Sequence, residues 1–345
     1  MRHHRQRARG ARFLLFPVLL QFLVVLTVAA GAATTPASNV PDLPEVYRQD
    51  GFLMQALLQA AAGDFTGEGR AQLVLSGRNY ETQENYIYLL RWTGRRFEVV
   101  WQSPNLWEPV SHLAVAVGDF TGLGRPQIAV FTRTRLRLFA WQDGRMELFH
   151  EETGWGVPEE IGVVRHPDHP YDLIAVSRQH TVVDNVPQKG VELLGWRNGR
   201  FRLLWETPTI GRVRAIAGGD LNGDGVWELV VEEGAGRNPG EIQVWAWQGA
   251  RYERTHQEAL REAPAFALSV VPAAGRHLLV LADDRGRAAV YRWAGTFELL
   301  AESGRTLGWA VASVTAADFL SNGGLQLAVV GYPSRLHVVQ WEAEP

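Results

Sequence analysis

A chain of 345 residues with 46% hydrophobic content can bury a large core. Its formal charge is −3, and −8 once the arginine-rich first 32 residues are set aside; an acidic body without a basic stripe excludes a nucleic-acid partner. The absence of cysteine excludes disulfides, thiolate metal sites, a cysteine nucleophile and a lipid-modified N-terminal cysteine.

The chain opens with Arg2, Arg5, Arg7, Arg9 and Arg12, followed by an apolar run over residues 13–30 and the small-residue pattern Ala30-Gly31-Ala32. This is the pattern of a cleavable export signal, and an uncleaved run of that length would serve as an N-terminal membrane anchor with its arginines in the cytoplasm. Residues 1–32 are therefore expected to be a signal peptide or anchor, 33–43 a linker, and 44–345 one repeat-built domain. Either fate of the leader places that domain outside the cell or in the cell envelope, and the membrane is contacted only through the anchor.

From residue 44 onward the sequence repeats with a period of about 50 residues. Four segments align: Gly63-Asp64-Phe65-Thr66-Gly67-Glu68-Gly69, Gly118-Asp119-Phe120-Thr121-Gly122-Leu123-Gly124, Gly219-Asp220-Leu221-Asn222-Gly223-Asp224-Gly225 and the looser Ala317-Asp318-Phe319-Leu320-Ser321-Asn322-Gly323. Nine positions after each Asp an apolar strand is under way, at Leu73, Ile128, Leu229 and Leu327. A tryptophan ends an alternating run in every unit, at Trp92, Trp141, Trp196, Trp247, Trp293 and Trp341, which counts six units. Units three and five lack the Asp-Gly loop and rest on their tryptophan hairpins alone.

Within unit two the pattern predicts four short strands: residues 112–118, 127–133, 135–141 and 145–150. Hairpin signals such as Asp143-Gly144 and Asn198-Gly199 separate the last two strands of a unit. Four-stranded units repeated six times predict an all-β, six-bladed β-propeller. Unit six ends without a fourth strand, while Glu45-Val46-Tyr47-Arg48-Gln49 resembles the fourth strand of unit one, Glu98-Val99-Val100-Trp101-Gln102. The N-terminal strand is expected to complete the last blade and close the ring, leaving no open sheet edge between the chain ends.

The Gly-Asp-[Phe/Leu]-[Thr/Asn]-Gly-x-Gly signature before an apolar strand resembles the FG-GAP or VCBS repeats of integrin-α-like propellers, over roughly residues 44–342. The resemblance implies loops that bind calcium through oxygens at positions 1, 3, 5 and 9 and a backbone carbonyl at position 7, as a hard cation requires. Unit four supplies Asp220, Asn222, Asp224 and Glu228 with the Val226 carbonyl. Unit one offers a weaker set, Asp64, Thr66, Glu68 and Gln72. Elsewhere the Asp is expected to close an Asx-type turn with no metal.

The histidines match no metalloprotease pattern, and neither a nucleophile elbow nor a phosphate-binding loop is present. His166, Asp168 and His169 read as a proline-rich loop replacing the missing Asp-Gly turn. The six hairpin tryptophans read as packing residues. Trp107, Trp155 and Trp309 instead fall in connections between units, on the face shared with the turns between second and third strands. Three of those turns read as enlarged: residues 76–86 with Tyr80, 178–189 with His180 and Asp184, and 233–240 with Arg237. Together these residues suggest a surface that binds a protein or a glycan, and the leading expectation is an exported, non-catalytic binding module. The alternative is an enzyme acting on polysaccharides through Glu81, Glu84, Asp184 and Glu233, which requires carboxylates facing each other at a defined separation.

Overall fold

The computed structural model describes residues 40–345 apart from 52–55, 109–112, 179–189, 209, 235–237, 274–275, 304–306, 308–310 and 343–345. The expected leader, 1–32, lies outside the described residues. Strand β1 (Glu45–Asp50) precedes blade one, which comprises β2 (Ala56–Gly63), β3 (Gln72–Asn79), β4 (Glu84–Trp92) and β5 (Phe97–Gln102). Blade two holds β6 (Ala114–Gly118), β7 (Gln127–Phe131), β8 (Arg135–Gln142) and β9 (Arg145–Thr153). Blade three holds β10 (Pro158–Arg165), β11 (Asp172–Arg178), β12 (Val191–Arg197) and β13 (Arg200–Glu206). Blade four holds β14 (Val213–Gly219), β15 (Glu228–Glu233), β16 (Glu241–Trp247) and β17 (Tyr252–Glu258), and blade five β18 (Ala265–Ala273), β19 (Arg276–Asp283), β20 (Ala288–Trp293) and β21 (Phe297–Glu302). Blade six takes β22 (Val311–Ala317), β23 (Leu325–Gly331) and β24 (Arg335–Trp341) from one end of the domain and β1 from the other.

All six sheets are antiparallel meanders of four strands, so the architecture is a six-bladed β-propeller. Units three and five keep complete blades although they lack the Asp-Gly loop. Innermost strands β2, β6, β10, β14, β18 and β22 lie side by side around the axis, with β22 returning to β2. That crowding explains their small residues. A Cβ on Gly162 would come within 2.7 Å of the Ile216 carbonyl oxygen, and one on Gly218 would overlap the backbone of Val163.

The apolar interior is divided into six clusters, and each lies between two blades. One joins Phe65, Ile87 and Leu89 of blade one to Ile128, Val130 and Phe139 of blade two. The others join blades two and three, three and four, four and five, five and six, and six and one. Second strands such as β11, buried along their whole length, read as continuous apolar runs for this reason.

The hairpin tryptophans serve these seams. Trp92, Trp141, Trp196, Trp247 and Trp293 stand directly opposite Phe97, Met146, Phe201, Tyr252 and Phe297 on the fourth strand. A residue from the fourth strand of the preceding blade then meets several of them edge-on: Tyr47 at 5.2 Å from Trp92, His150 at 4.7 Å from Trp196 and His256 at 5.0 Å from Trp293, between ring centroids. Such aromatic pairs add about 0.5–1.5 kcal/mol beyond their burial. In two seams a carboxylate reinforces them, since Glu152 accepts the Phe201 N–H and Glu258 the Phe297 N–H, both at 2.9 Å.

Closure of the ring follows the expected route. β1 pairs antiparallel with β24 from Glu45↔Val339 to Asp50↔Arg335, and Glu45 and His337 add a contact of 2.5 Å. The pairing begins earlier than residue 44. Asp42 bridges Glu302 in parallel fashion, the Glu302 N–H donates to the Pro41 carbonyl at 3.1 Å, and the Leu43 N–H returns to Glu302 at 3.3 Å. Residues 41–50 therefore join blade five as well as blade six. Deleting them is expected to lower the melting temperature by roughly 10 °C or more, and a calorimetric scan that matches the full-length protein would refute this role.

Candidate functional site

Antiparallel meanders place the loops between first and second strands on one face of the ring, and those between second and third strands, with the blade-to-blade connections, on the other. On the first face the recurring Asp caps its loop. Asp64 accepts the N–H groups of Gly67, Glu68 and Gly69 at 2.7–3.1 Å, and Asp119 those of Gly122, Leu123 and Gly124 at 2.9 Å. Asp220 accepts from Gly223 at 2.7 Å and Gly225 at 2.9 Å, and Asp318 from Asn322 and Gly323 at 3.0 Å.

The residue at loop position 9 decides what these loops can hold. Gln72, Gln127 and Gln326 each accept a backbone N–H, from Phe65, Phe120 and Leu320, with the side-chain oxygen. Their amide nitrogens donate into the loop: Gln72 to the Arg70 carbonyl (2.6 Å) and the Thr66 hydroxyl (3.3 Å), Gln127 to the Thr121 hydroxyl (2.5 Å), and Gln326 to the Gly324 carbonyl and Asn322 Oδ1 (both 2.9 Å). An internal N–H donor thus satisfies oxygens that a cation would otherwise gather, at positions 3 and 7 in unit one, 3 in unit two, and 5 and 7 in unit six.

Unit four has Glu228 at this position. It accepts the Leu221 N–H at 2.9 Å but has no N–H to donate, so Asn222 Nδ2 fills in, donating to Asp224 at 3.0 Å and to Glu228 at 2.9 Å. Burial, with Asp224 and Asp220 adding, pushes the Glu228 carboxyl up to about 7 against the lowering effect of the Leu221 N–H. Among the described residues no three His, Asp or Glu side chains are grouped closely enough to hold a metal ion as they stand. The donor chemistry of Asp220, Asn222, Asp224, Glu228 and the Val226 carbonyl, four oxygen-bearing side chains and a main-chain oxygen, nevertheless suits a hard cation. In unit one Gln72 already supplies the internal donor and Glu68 is exposed.

On the opposite face the structure joins two of the expected residues through a third. The Arg78 guanidinium carbon lies 4.9 Å from the Tyr80 ring centroid and 4.6 Å from that of Trp107. Tyr80 is 53% exposed and Trp107 half-buried. The turn carrying Tyr80 is shorter than expected: Arg78 pairs with Asn85 and Asn79 with Glu84, so only residues 80–83 leave the ladder. Asn79 Oδ1 closes that turn by accepting the N–H groups of Glu81 and Thr82.

Trp155 plays a packing part. It lies against the core between blades two and three, and Arg178 donates to its carbonyl while pairing with Glu192 at 2.6 Å. His180, Asp184, Arg237 and Trp309 lie outside the described residues. Of the acids considered for catalysis, Glu84 binds Thr82 and Tyr86, and Glu233 binds the Gly211 N–H and Gln243. His166, Asp168 and His169 do not converge on a ligand: His166 packs 4.3 Å from Trp247, and His169 Nδ1 lies 3.0 Å from the Tyr171 carbonyl.

Two residues went unnoticed in the sequence, Arg78 and the channel-lining Glu160. The only signal for the second is Pro158-Glu159-Glu160, an acidic pair opening an innermost strand where small or apolar residues prevail.

No family model and no curated protein sequence matches this chain. Solved structures do match in fold. One is BBS1N, in a crystal structure of BBS1N in complex with ARL6DN soaked with mercury; it aligns with a TM-score of 0.53 at 10% identity, over 88% of this chain and 98% of that one. At that identity the likeness establishes the propeller fold.

A carboxyl whose folded-state pKa is raised favours the native state below its unfolded value, near 4.5, and loses that advantage as the pH rises through 7. In chelator, Glu228→Gln is therefore expected to stabilise the domain at pH 8 by up to about 3 kcal/mol, with the difference vanishing toward pH 4. Equal pH profiles in thermal melts of the variant and the parent would contradict the assignment.

Proposed function

We propose that the chain is an FG-GAP-type propeller that works outside the cytoplasm, secreted or held at the envelope, as a non-catalytic module binding a protein or glycan on the face that carries Tyr80 and Trp107. The observation that supports this reading is the Tyr80, Arg78, Trp107 stack. A guanidinium close to two rings forms a pre-ordered surface that joins aromatic faces to a positive charge, the mixture found at binding hot spots. Glu84 and Glu233 are engaged in local hydrogen bonds, which favours binding over acid–base chemistry on this face.

Calcium has a structural part in this proposal, restricted to unit four. Asp220, Asn222, Asp224, Glu228 and the Val226 carbonyl would hold it, and the ion would supply the positive charge that the buried Glu228 lacks. Binding to the native state adds stability by mass action.

Two measurements test these parts separately. A glycan array and an envelope pull-down with the mature domain should yield a ligand whose affinity falls about tenfold or more in Tyr80→Ala and Trp107→Ala, while melting temperatures stay near that of the parent. Trp155→Ala should instead destabilise by roughly 2–4 kcal/mol. Undiminished binding by both surface variants would move the site elsewhere. Millimolar calcium should raise the melting temperature of the parent and leave Asp224→Ala and Glu228→Gln unchanged; a preserved response in both variants removes the ion from unit four.

A further inference from the structure

The central channel encloses about 260 Å³ between the innermost strands, and a recess of about 220 Å³ adjoins it at the end where β10, β14 and β22 begin. Glu160 lines both spaces. It follows a β-bulge that interrupts the pairing of β10 between Pro158 and Glu160, and its backbone N–H donates to the Ser177 hydroxyl at 3.1 Å. Among the described residues its carboxylate has no hydrogen-bond or ion-pair partner, while every charged neighbour is engaged. Glu159 pairs with Arg212 at 2.8 Å, and Glu232 with Arg214 at 2.9 Å, Arg214 also donating to the Asn238 carbonyl. The other channel acid, Asp172, takes Arg165 at 3.0 Å and the Asp119 N–H at 2.8 Å.

When all are ionised, Glu159, Glu160 and Glu232 against Arg212 and Arg214 leave one negative charge over, and it belongs to Glu160, the group facing open space. The lining also carries methyl and methylene surface, from Val213, Val311, Ala312, Ala215 and Ala267, alongside the polar side chains of Gln59 and Ser313. A low-dielectric wall strengthens a charge pair formed inside it, and an aliphatic wall suits an alkyl stem. A single carboxylate in a space of this size matches the compact head of an ammonium group.

We propose that the mouth of the central channel is a binding site for one alkylammonium group, a lysine side chain or a small primary amine, with Glu160 as its counter-charge. The site is separate from the Tyr80 and Trp107 surface and does not rest on it. Burial holds the Glu160 carboxyl well above the ordinary range, with Glu159 adding, Arg212 opposing and Glu232 adding further. Binding of the cation therefore displaces a proton, and affinity rises with pH until the amine itself deprotonates.

The test is titration calorimetry of the folded domain with n-butylammonium chloride, n-butanol and the peptide acetyl-Gly-Lys-Gly-amide, each at pH 6 and pH 8.5. The expected result is binding of at least one of the two ammonium probes, tighter at pH 8.5, with proton release, and none of n-butanol. A peptide that binds more tightly than the amine identifies a partner's lysine as the source, and the reverse order identifies a free amine. Glu160→Gln should weaken the interaction about tenfold or more while melting no lower than the parent. Tyr80→Ala should bind n-butylammonium within about threefold of the parent. Binding that survives in Glu160→Gln, equal binding of n-butanol, or no binding of either ammonium probe overturns the proposal.

Discussion

A four-stranded sheet with two apolar faces cannot be stable alone, and each blade of this protein meets that constraint only through its neighbours. Among the described residues no apolar core cluster belongs to one blade; every one spans a seam. The ring must therefore close, and the closing element is the N-terminal segment that adds β1 to β24 after touching β21 on the way. Tyr47, carried by that strand, packs against Trp92 and Phe97 and ties blade six to blade one.

The same requirement governs where charge is tolerated. Buried arginines and acids occur as matched pairs, Arg178 with Glu192, Arg214 with Glu232 and Arg261 with Asp283, because an uncompensated buried charge costs several kcal/mol. In three of the four Asp-capped loops a neutral glutamine accepts a backbone N–H and donates into the loop without any charge. Glu228 and Glu160 depart from both patterns. Each is a carboxyl without a cationic partner, and burial raises both. Perturbed groups of this kind concentrate at functional sites, and these two stand on opposite faces of the ring.

The two faces also differ in what their residues are committed to. On the Asp-loop side, carboxylates, glutamines and glycines are consumed by turn closure, and loop four is further held by His277, whose ring nitrogen lies 3.1 Å from the Asp220 carbonyl oxygen. On the opposite side Tyr80 keeps exposed ring surface beside Arg78, with Trp107 also close to the guanidinium. The division of labour proposed above, recognition on one face and structural support on the other, is one that a repeated scaffold permits, since its loops vary without disturbing the seams.

The strand count, the blade count and the N-terminal closure were legible in the sequence because each depends on local pattern: period-two alternation, Asp-Gly turns, and one tryptophan recurring at the end of each third strand. Asp220, Asn222, Asp224 and Glu228 were legible together for the same reason, since a loop brings near neighbours in sequence together in space. Units three and five could be placed only by their tryptophans, and the tertiary structure supplied the rest of their blades, with Asp172 of blade three bonding Asp119 of blade two across the seam. What lay beyond the sequence were the side-chain contacts between segments that no repeated motif marks. Arg78 lies near both Tyr80 and Trp107 because two connections of unit one meet there, the reach of unit one's turn was set by the cross-strand pairing of Asn79 with Glu84, and Trp155, still partly exposed, packs against the seam between blades two and three. Glu160 gained its open space only when six innermost strands were drawn around one axis, a geometry that no single repeat contains.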